Sequence, residues 1–151
     1  MLSARLNATS ASDPAMTLAL AYWCVVFVAV LPYLWVYVAK ASGQRYNNRD
    51  PRGWQARQDN PRSIRANAAQ LNAFEAFAPF AAGVVMAQLT GVAHGTIAAL
   101  AVVFAISRLL HGLLYLADRH ALRSLVWAVG FVCAVALLVL AALKAAAIAP
   151  I

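Results

Sequence analysis

Several polar side chains lie inside segments of this chain that are otherwise strongly apolar. Asn72 and Glu75 share one such segment, and Arg108, His111 and Tyr115 share another. A charged side chain at membrane depth is energetically costly, so it usually faces a partner or a water-filled site. The polar residues of these two segments are therefore the first candidates for function.

The first of these segments carries its polar residues on one helical face. Arg65, Asn72 and Glu75 follow one another at spacings of seven and three residues, which places them on one broad face of a helix. Glu75 is the only glutamate of the chain. An isolated buried carboxylate would take up a proton, so an arginine partner is expected for Glu75. An ion pair or hydrogen bond between two helices explains this face as well as a ligand site does.

The second segment carries Arg108, His111 and Tyr115 at spacings of three and four residues, so the three share one narrow face. Arg108 is expected to pair with Glu75 rather than with a ligand. A single histidine such as His111 is more often a hydrogen-bonded helix contact than a catalyst. One histidine and one glutamate do not make a metal-ligand set, so no metal site is predicted.

Arg123 and Ser124 stand at the predicted start of a further apolar segment. An arginine and a hydroxyl at that place can bind an anion or stabilise a thiolate, assisted by the unpaired N–H groups of a helix N-terminus. The alternative is an arginine that extends to the membrane surface beside a helix-capping serine. The sequence contains no nucleophile–base triad, no phosphate-binding glycine loop and no pair of carboxylates in a catalytic spacing.

The composition places these residues in a membrane protein. Of the 151 residues, 64% are hydrophobic and only 11% are charged, and the mean hydropathy is +0.71. A spanning helix needs about 20 apolar residues. We predict an all-α, integral membrane four-helix bundle that forms a single domain over residues 1–151. The predicted spans are about 16–40, 62–89, 96–117 and 123–147, with a loop over 41–60, Asn60 as the cap of the second helix, and a tight return at 118–122.

The net charge of +7 is concentrated in and beside one loop. Lysine and arginine favour the cytoplasmic side of a membrane, and this rule is the simplest explanation of the basic loop. It places both termini on the opposite side, as four spans require. Contact with phosphate or anionic lipid is an additional interpretation, whereas nucleic acid is not a predicted partner. The basic residues are Lys40, Arg45, Arg49, Arg52, Arg57, Arg62 and Arg65, with Arg119 and Arg123 near the last turn.

Two stretches of the sequence carry a family likeness. The first consists of Asn60-Pro-Arg, Arg65-Ala66, Asn72-Ala-Phe-Glu75 and Pro79-Phe80, and the second of Arg108-Leu-Leu-His111-Gly-Leu-Leu-Tyr115 followed by Arg123-Ser124. They resemble the second helix, and the third and fourth helices, of the MAPEG family, the membrane-associated proteins in eicosanoid and glutathione metabolism. The likeness implies a homotrimer of MAPEG-like four-helix subunits. As a bacterial-type member, the protein is expected in the inner membrane with both termini periplasmic.

The resemblance also implies residue roles around glutathione, which would bind as a co-substrate between neighbouring subunits near the cytoplasmic side. Arg123 would stabilise the glutathione thiolate with Ser124 beside it, because a nearby cation can lower a thiol pKa by about one to three pH units. Ala68 and Leu71 stand where glutathione-using members often carry arginine. The implied glutathione-binding residues are Lys40 and Arg65 for a carboxylate, Asn72 and Glu75 for the backbone and amine, and Arg108, His111 and Tyr115 for the pocket wall.

Two functions fit the sequence. The first is a membrane-bound, glutathione-dependent transferase or peroxidase that acts on lipophilic electrophiles, which would reach the thiolate laterally from the lipid. The alternative is a non-catalytic MAPEG-like membrane protein with a structural or lipid-binding role, in which the polar residues only tie helices together. A small transporter is disfavoured, because the sequence has no inverted repeat and no pair of broken helices.

Overall fold

The computed structural model describes residues 14–148, with side chains from 16 to 147, and every regular element in that range is helical. The predicted all-α class is therefore confirmed. A short helix that the sequence analysis did not predict lies within the 41–60 loop. The elements are α1 (Pro14–Ser42), α2 (Pro51–Ala56), α3 (Pro61–Leu89), α4 (His94–Leu116) and α5 (His120–Ile148).

The four long helices pack as a bundle. α1 contacts α3 and α4, α5 contacts the same two helices from the other side, and α3 and α4 also touch across the bundle. At the centre, the rings of Phe80 and Phe104 stack with centroids 3.9 Å apart. α3 and α4 therefore each pack against the other three long helices.

Three of the helices are long and apolar enough to cross a membrane: Met16–Ser42, His94–Leu116 and His120–Ala147, with mean hydropathies of 2.1, 2.1 and 2.7. The fourth long helix, α3, has 29 residues but is more polar. At about 1.5 Å per residue, its length exceeds the roughly 30 Å hydrocarbon thickness of a bilayer. A fourth span at α3 stays a prediction.

The ends of α3 follow local capping rules. The side chain of Asn60 accepts hydrogen bonds from the backbone N–H groups of Arg62 and Ser63, at 2.9 and 3.3 Å, as predicted for a helix cap. At the other end Gly91 has a φ of 76°, and Val92 N donates to Ala87 O at 2.9 Å. This is the turn in which a left-handed glycine terminates a helix.

The helix α2 corrects the prediction of an irregular loop over residues 41–60. Asp50 caps it, because Gly53 N donates to Asp50 Oδ1 at 2.9 Å. Trp54 anchors it: the indole is buried and its Nε1–H donates to the carbonyls of Gln44 and Arg45, both at 3.1 Å. A helix of six residues is too short to produce a readable hydrophobic period, so its signals were limited to a cap and a proline.

The connection between α4 and α5 is also shorter than predicted. α5 begins at His120, so the predicted return at 118–122 ends too late. Asp118, whose φ of 58° is left-handed, lies in the short connection between Leu116 and His120 and tightens the turn. Arg123 N therefore donates to Arg119 O at 2.9 Å, and the Ser124 hydroxyl donates to His120 O at 3.1 Å. Ser124 therefore lies inside α5 and does not cap its N-terminus, which corrects that alternative. The assistance of Arg123 by the N–H groups of the first turn stays a prediction.

Candidate functional site

A cleft of about 240 Å³ opens between α3, α4 and α5, and we call it the central cleft. It combines three polar residues with a mainly apolar wall. Two of the predicted site residues on α3 and one on α4 meet here, although they are 33 and 36 positions apart in sequence. The lining residues are Asn72, Glu75, Ala76, Pro79, Phe104, Arg108, Trp127, Phe131 and Ala134.

Arg108 is the most deeply buried of the three polar residues of the central cleft. Only 3% of it is exposed, and its Nη1 donates to Asn72 Oδ1 at 3.0 Å. Its Nε and Nη2 are buried without a hydrogen-bond partner among the described residues. A buried polar group left unpaired costs about 1–3 kcal/mol, so the rest of the bundle must stabilise this arrangement.

The prediction that Arg108 forms an ion pair with Glu75 is wrong. The structure pairs Arg108 with Asn72, one helical turn earlier on α3. Glu75 is exposed at the cleft, and within the described residues it takes part in no ion pair. The carboxylate is not enclosed by its own chain, so the argument that a buried carboxylate needs a cation does not apply within a single protomer.

The apolar wall of the cleft was not predicted from the sequence. The rings of Trp127 and Phe131 stack with centroids 5.2 Å apart, and both side chains are exposed at the cleft. On the opposite side, the Arg108 guanidinium lies 5.6 Å from the ring centroid of Phe104. A usable signal was present: Arg123, Trp127 and Phe131 recur every four residues and therefore share one face of α5.

A second polar group lies where α4 ends and α5 begins. The rings of His111 and Tyr115 meet edge to face with centroids 5.3 Å apart. The guanidinium of Arg123 lies 4.1 Å from the ring centroid of Tyr115, a cation–π contact across the two helices. The Arg123 side chain forms no ion pair within the described residues, so none of their carboxylates neutralises its positive charge.

The two groups belong to one track along the α4–α5 interface. On α4 the track runs from Arg108 through His111 to Tyr115, and on α5 from Arg123 to Trp127. Because α4 and α5 run antiparallel, Arg123 meets Tyr115 at one end while Trp127 already lines the central cleft. The unpaired guanidinium of Arg123 therefore lies one helical turn from Trp127, which lines the central cleft.

Three further predicted residues lie elsewhere. Arg65 Nη1 is 3.7 Å from the Asp118 carboxylate, so it binds a carboxylate of its own chain, and its Nε is buried without a partner. The ammonium of Lys40 lies over the ring of Tyr46, 3.8 Å from its centroid, and lines a different cavity. Ser124 is exposed, and its hydroxyl donates a hydrogen bond to the backbone of its own helix.

No group of three or more His, Cys, Asp or Glu that could hold a metal ion occurs in the described range.

A model of the MAPEG family matches residues 20–143 of the chain, which includes every residue of the central cleft and of the α4–α5 track. The chain belongs to the MAPEG family. Membership and the three apolar helices make it a multi-pass integral membrane protein, in a family that includes glutathione transferases and peroxidases and whose members are typically oligomeric. No curated protein and no solved structure matches the chain.

Proposed function

We propose that this MAPEG protein activates glutathione at Arg123 for attack on a lipophilic electrophile or hydroperoxide. The observation that supports the proposal best is the placement of Arg123. Its guanidinium rests on the ring of Tyr115, forms no ion pair among the described residues, and lies one turn from Trp127 in the central cleft.

Arg123 would act on the thiol through its charge. A guanidinium beside the sulfur favours the thiolate over the thiol, and the thiolate is the nucleophile. Tyr115 would hold the guanidinium in place through the cation–π contact, and His111 would fix the tyrosine ring from the other side. In a transferase reaction, a carbon–sulfur bond forms while the leaving group departs with the electron pair; in a peroxidase reaction, the O–O bond breaks and two thiols become a disulfide.

The residues of the central cleft fit the polar end of the same co-substrate. Glu75 offers a carboxylate that no cation of the described chain neutralises, which suits the ammonium group of a tripeptide. Asn72 is held by Arg108, so its amide has a fixed direction. The stacked Trp127 and Phe131 would receive the apolar substrate along the apolar wall of the cleft.

The homotrimer is part of the proposal. Glu75, Trp127 and Phe131 are all exposed on a single protomer, so the cleft has an open side that a neighbouring copy could close. We further propose that the end of the bundle with α2 is cytoplasmic and that both termini are periplasmic, because the loop before α3 carries the excess of arginine. Reporter fusions at the two ends of the chain would test this orientation.

The decisive experiment is glutathione binding to the detergent-purified trimer. We expect millimolar glutathione to raise the melting temperature and to develop the ultraviolet absorbance of a thiolate. Arg123→Ala should abolish the absorbance and the conjugation of a lipophilic electrophile. Arg119→Ala is the matched control, because Arg119 is an exposed cation in the same turn. A wild-type protein that glutathione does not stabilise would rule the proposal out.

A non-catalytic function has one observation in its favour. The Arg108–Asn72 hydrogen bond joins α3 to α4 and needs no ligand. It does not explain the unpaired cation at Arg123. If Arg108→Leu dissociates the oligomer while Arg123→Ala changes neither stability nor activity, the structural function is the correct one.

A further inference from the structure

A second cavity lies at the end of the bundle that carries α2. Its volume is about 440 Å³, and α1, α2, α3 and the intervening loop all contribute to it. It is separate from the central cleft, with which it shares no lining residue. Its polar lining consists of Lys40, Arg52, Gln55, Asn67 and Gln70, and we call it the α2 cavity.

The chemistry of the α2 cavity suits an anion. Lys40 and Arg52 bring two positive charges, and no carboxylate lines it. The nearest acid in sequence, Asp50, is occupied elsewhere, because it accepts a hydrogen bond from Gly53 N and pairs with Arg57 at 3.1 Å. The backbone carbonyl of Ala39 does not oppose an anion, since it already accepts hydrogen bonds from the Ser63 hydroxyl and Gly43 N.

The position of the cavity suits a lipid rather than a free anion. Lys40 lies in the last turn of the membrane-spanning helix α1, where the hydrocarbon meets the headgroups. Below it, the lining continues with Val36, Ala39 and Leu71, which are apolar. One continuous cavity thus joins a cationic, amide-rich part to an apolar part at the depth of the membrane surface.

We propose that the α2 cavity binds the phosphate-bearing headgroup of an anionic phospholipid. Lys40 and Arg52 contact the phosphate, and the amides of Gln55, Asn67 and Gln70 hydrogen-bond the polar headgroup. The cation–π contact with Tyr46 fixes the Lys40 ammonium at the mouth of the site. The helix α2, held by Trp54, forms one wall of the cavity. The phospholipid would bind outside the central cleft, with which the α2 cavity shares no lining residue.

The test compares lipids on the full-length protein in a non-ionic detergent. The melting temperature is titrated with phosphatidylglycerol, with phosphatidylcholine and with inorganic phosphate. We expect phosphatidylglycerol to bind about tenfold more tightly than phosphatidylcholine, and inorganic phosphate to give little stabilisation. Lys40→Ala/Arg52→Ala should make the two lipids equal. Lys40→Gln/Arg52→Gln, which keeps long polar side chains, should do the same and guards against a folding defect in the alanine pair.

The control pair is Arg45→Ala/Arg49→Ala, which removes the same charge from exposed positions of the same loop outside the cavity. It should retain the lipid preference. If both double variants lose the lipid preference equally, the preference comes from the total positive charge of the loop and not from the cavity, and the proposal is overturned. Full stabilisation by inorganic phosphate alone would overturn the lipid assignment. Loss of glutathione binding in the Lys40/Arg52 pair with the lipid preference unchanged would also overturn it, and would place Lys40 in the thiol site.

Discussion

Gly130 of α5 lies directly against the guanidinium of Arg108 on α4. A Cβ atom at position 130 would be 3.0 Å from Arg108 Nη2 and 2.5 Å from the Ser107 hydroxyl, both side chains that α5 covers. The absence of a side chain at 130 therefore lets the two helices enclose a charged group. This contact sets the depth of Arg108 and, through it, one wall of the central cleft.

Gly130→Ala is expected to destabilise the protein by about 1–3 kcal/mol, because the added methyl group overpacks the α4–α5 interface. Gly95→Ala is the matched control: it is also a helical glycine, but a Cβ there meets nothing within 4 Å. The control should be neutral or slightly stabilising, since alanine favours a helix over glycine. Thermal unfolding in detergent measures both, and equal effects at the two positions would contradict the packing argument.

Asn72→Leu should lower the free energy of unfolding more than replacing both Asn72 and Arg108 does. The single substitution leaves Arg108 buried with no hydrogen bond at Nη1 in addition to its two unpaired nitrogens, at a cost of about 3 kcal/mol or more. Asn72→Leu/Arg108→Met removes the charge along with its partner and should recover much of that loss. A double-mutant cycle of unfolding free energies measures the coupling, and additive effects would show that the hydrogen bond does not hold the helices together.

These contacts separate what the sequence could predict from what it could not. The four long helices and the Asn60 cap are properties of local sequence, so hydropathy and capping rules located them. The spacing of Asn72 and Glu75 put both on one face but could not choose between them as the partner of Arg108. That choice depends on how far α4 is shifted along α3, which only tertiary packing fixes.

The other errors have equally physical causes. Trp127 and Phe131 were overlooked because an aromatic residue in an apolar span looks the same whether it lines a cleft or faces lipid. The hydrogen bonding of the Ser124 hydroxyl differs from the prediction because a left-handed Asp118 shortens the turn before α5. An aspartate in a sequence does not indicate a left-handed conformation, whereas a glycine often does. The resemblance nevertheless identified the family correctly over residues 20–143.

Acid should release the helix α2. The hydrogen bond from Gly53 N, followed by the pairing with Arg57, holds the pKa of the Asp50 carboxyl below its ordinary value of 3.8. The stabilisation from this cap is therefore complete above the pKa of the unfolded chain and is lost as the pH falls through the lower folded value. We expect amide exchange at Gly53 and Trp54 to accelerate below about pH 4 relative to the intrinsic rate. Asp50→Asn, which retains an acceptor without a charge, should remove this pH dependence.

Asp118 provides a test of backbone strain at the α4–α5 turn. Its φ of 58° costs a side-chain-bearing residue about 1–2 kcal/mol, whereas glycine adopts it freely. Its exposed ion pair with Arg65 is worth at most about 1 kcal/mol. Asp118→Gly should therefore be close to neutral, while Asp118→Ala should unfold at least about 1 kcal/mol more easily than the glycine variant. Equal destabilisation by glycine and alanine would mean that the ion pair, and not the backbone, governs the turn.

A substitution at Trp127 should affect binding of the lipophilic substrate but not binding of glutathione. Its ring stacks on Phe131 in the wall of the central cleft, one turn beyond Arg123, so it would contact the lipophilic substrate rather than the thiol. We expect Trp127→Ala to raise the KM for a lipophilic electrophile about tenfold or more, because a large apolar contact surface is removed. The thermal shift with glutathione and the thiolate absorbance should stay at the wild-type level. Trp23→Ala is the control, since Trp23 is exposed on α1 away from the cleft. If Trp127→Ala abolishes the glutathione shift instead, the indole belongs to the thiol site, and the apolar substrate must enter by another wall.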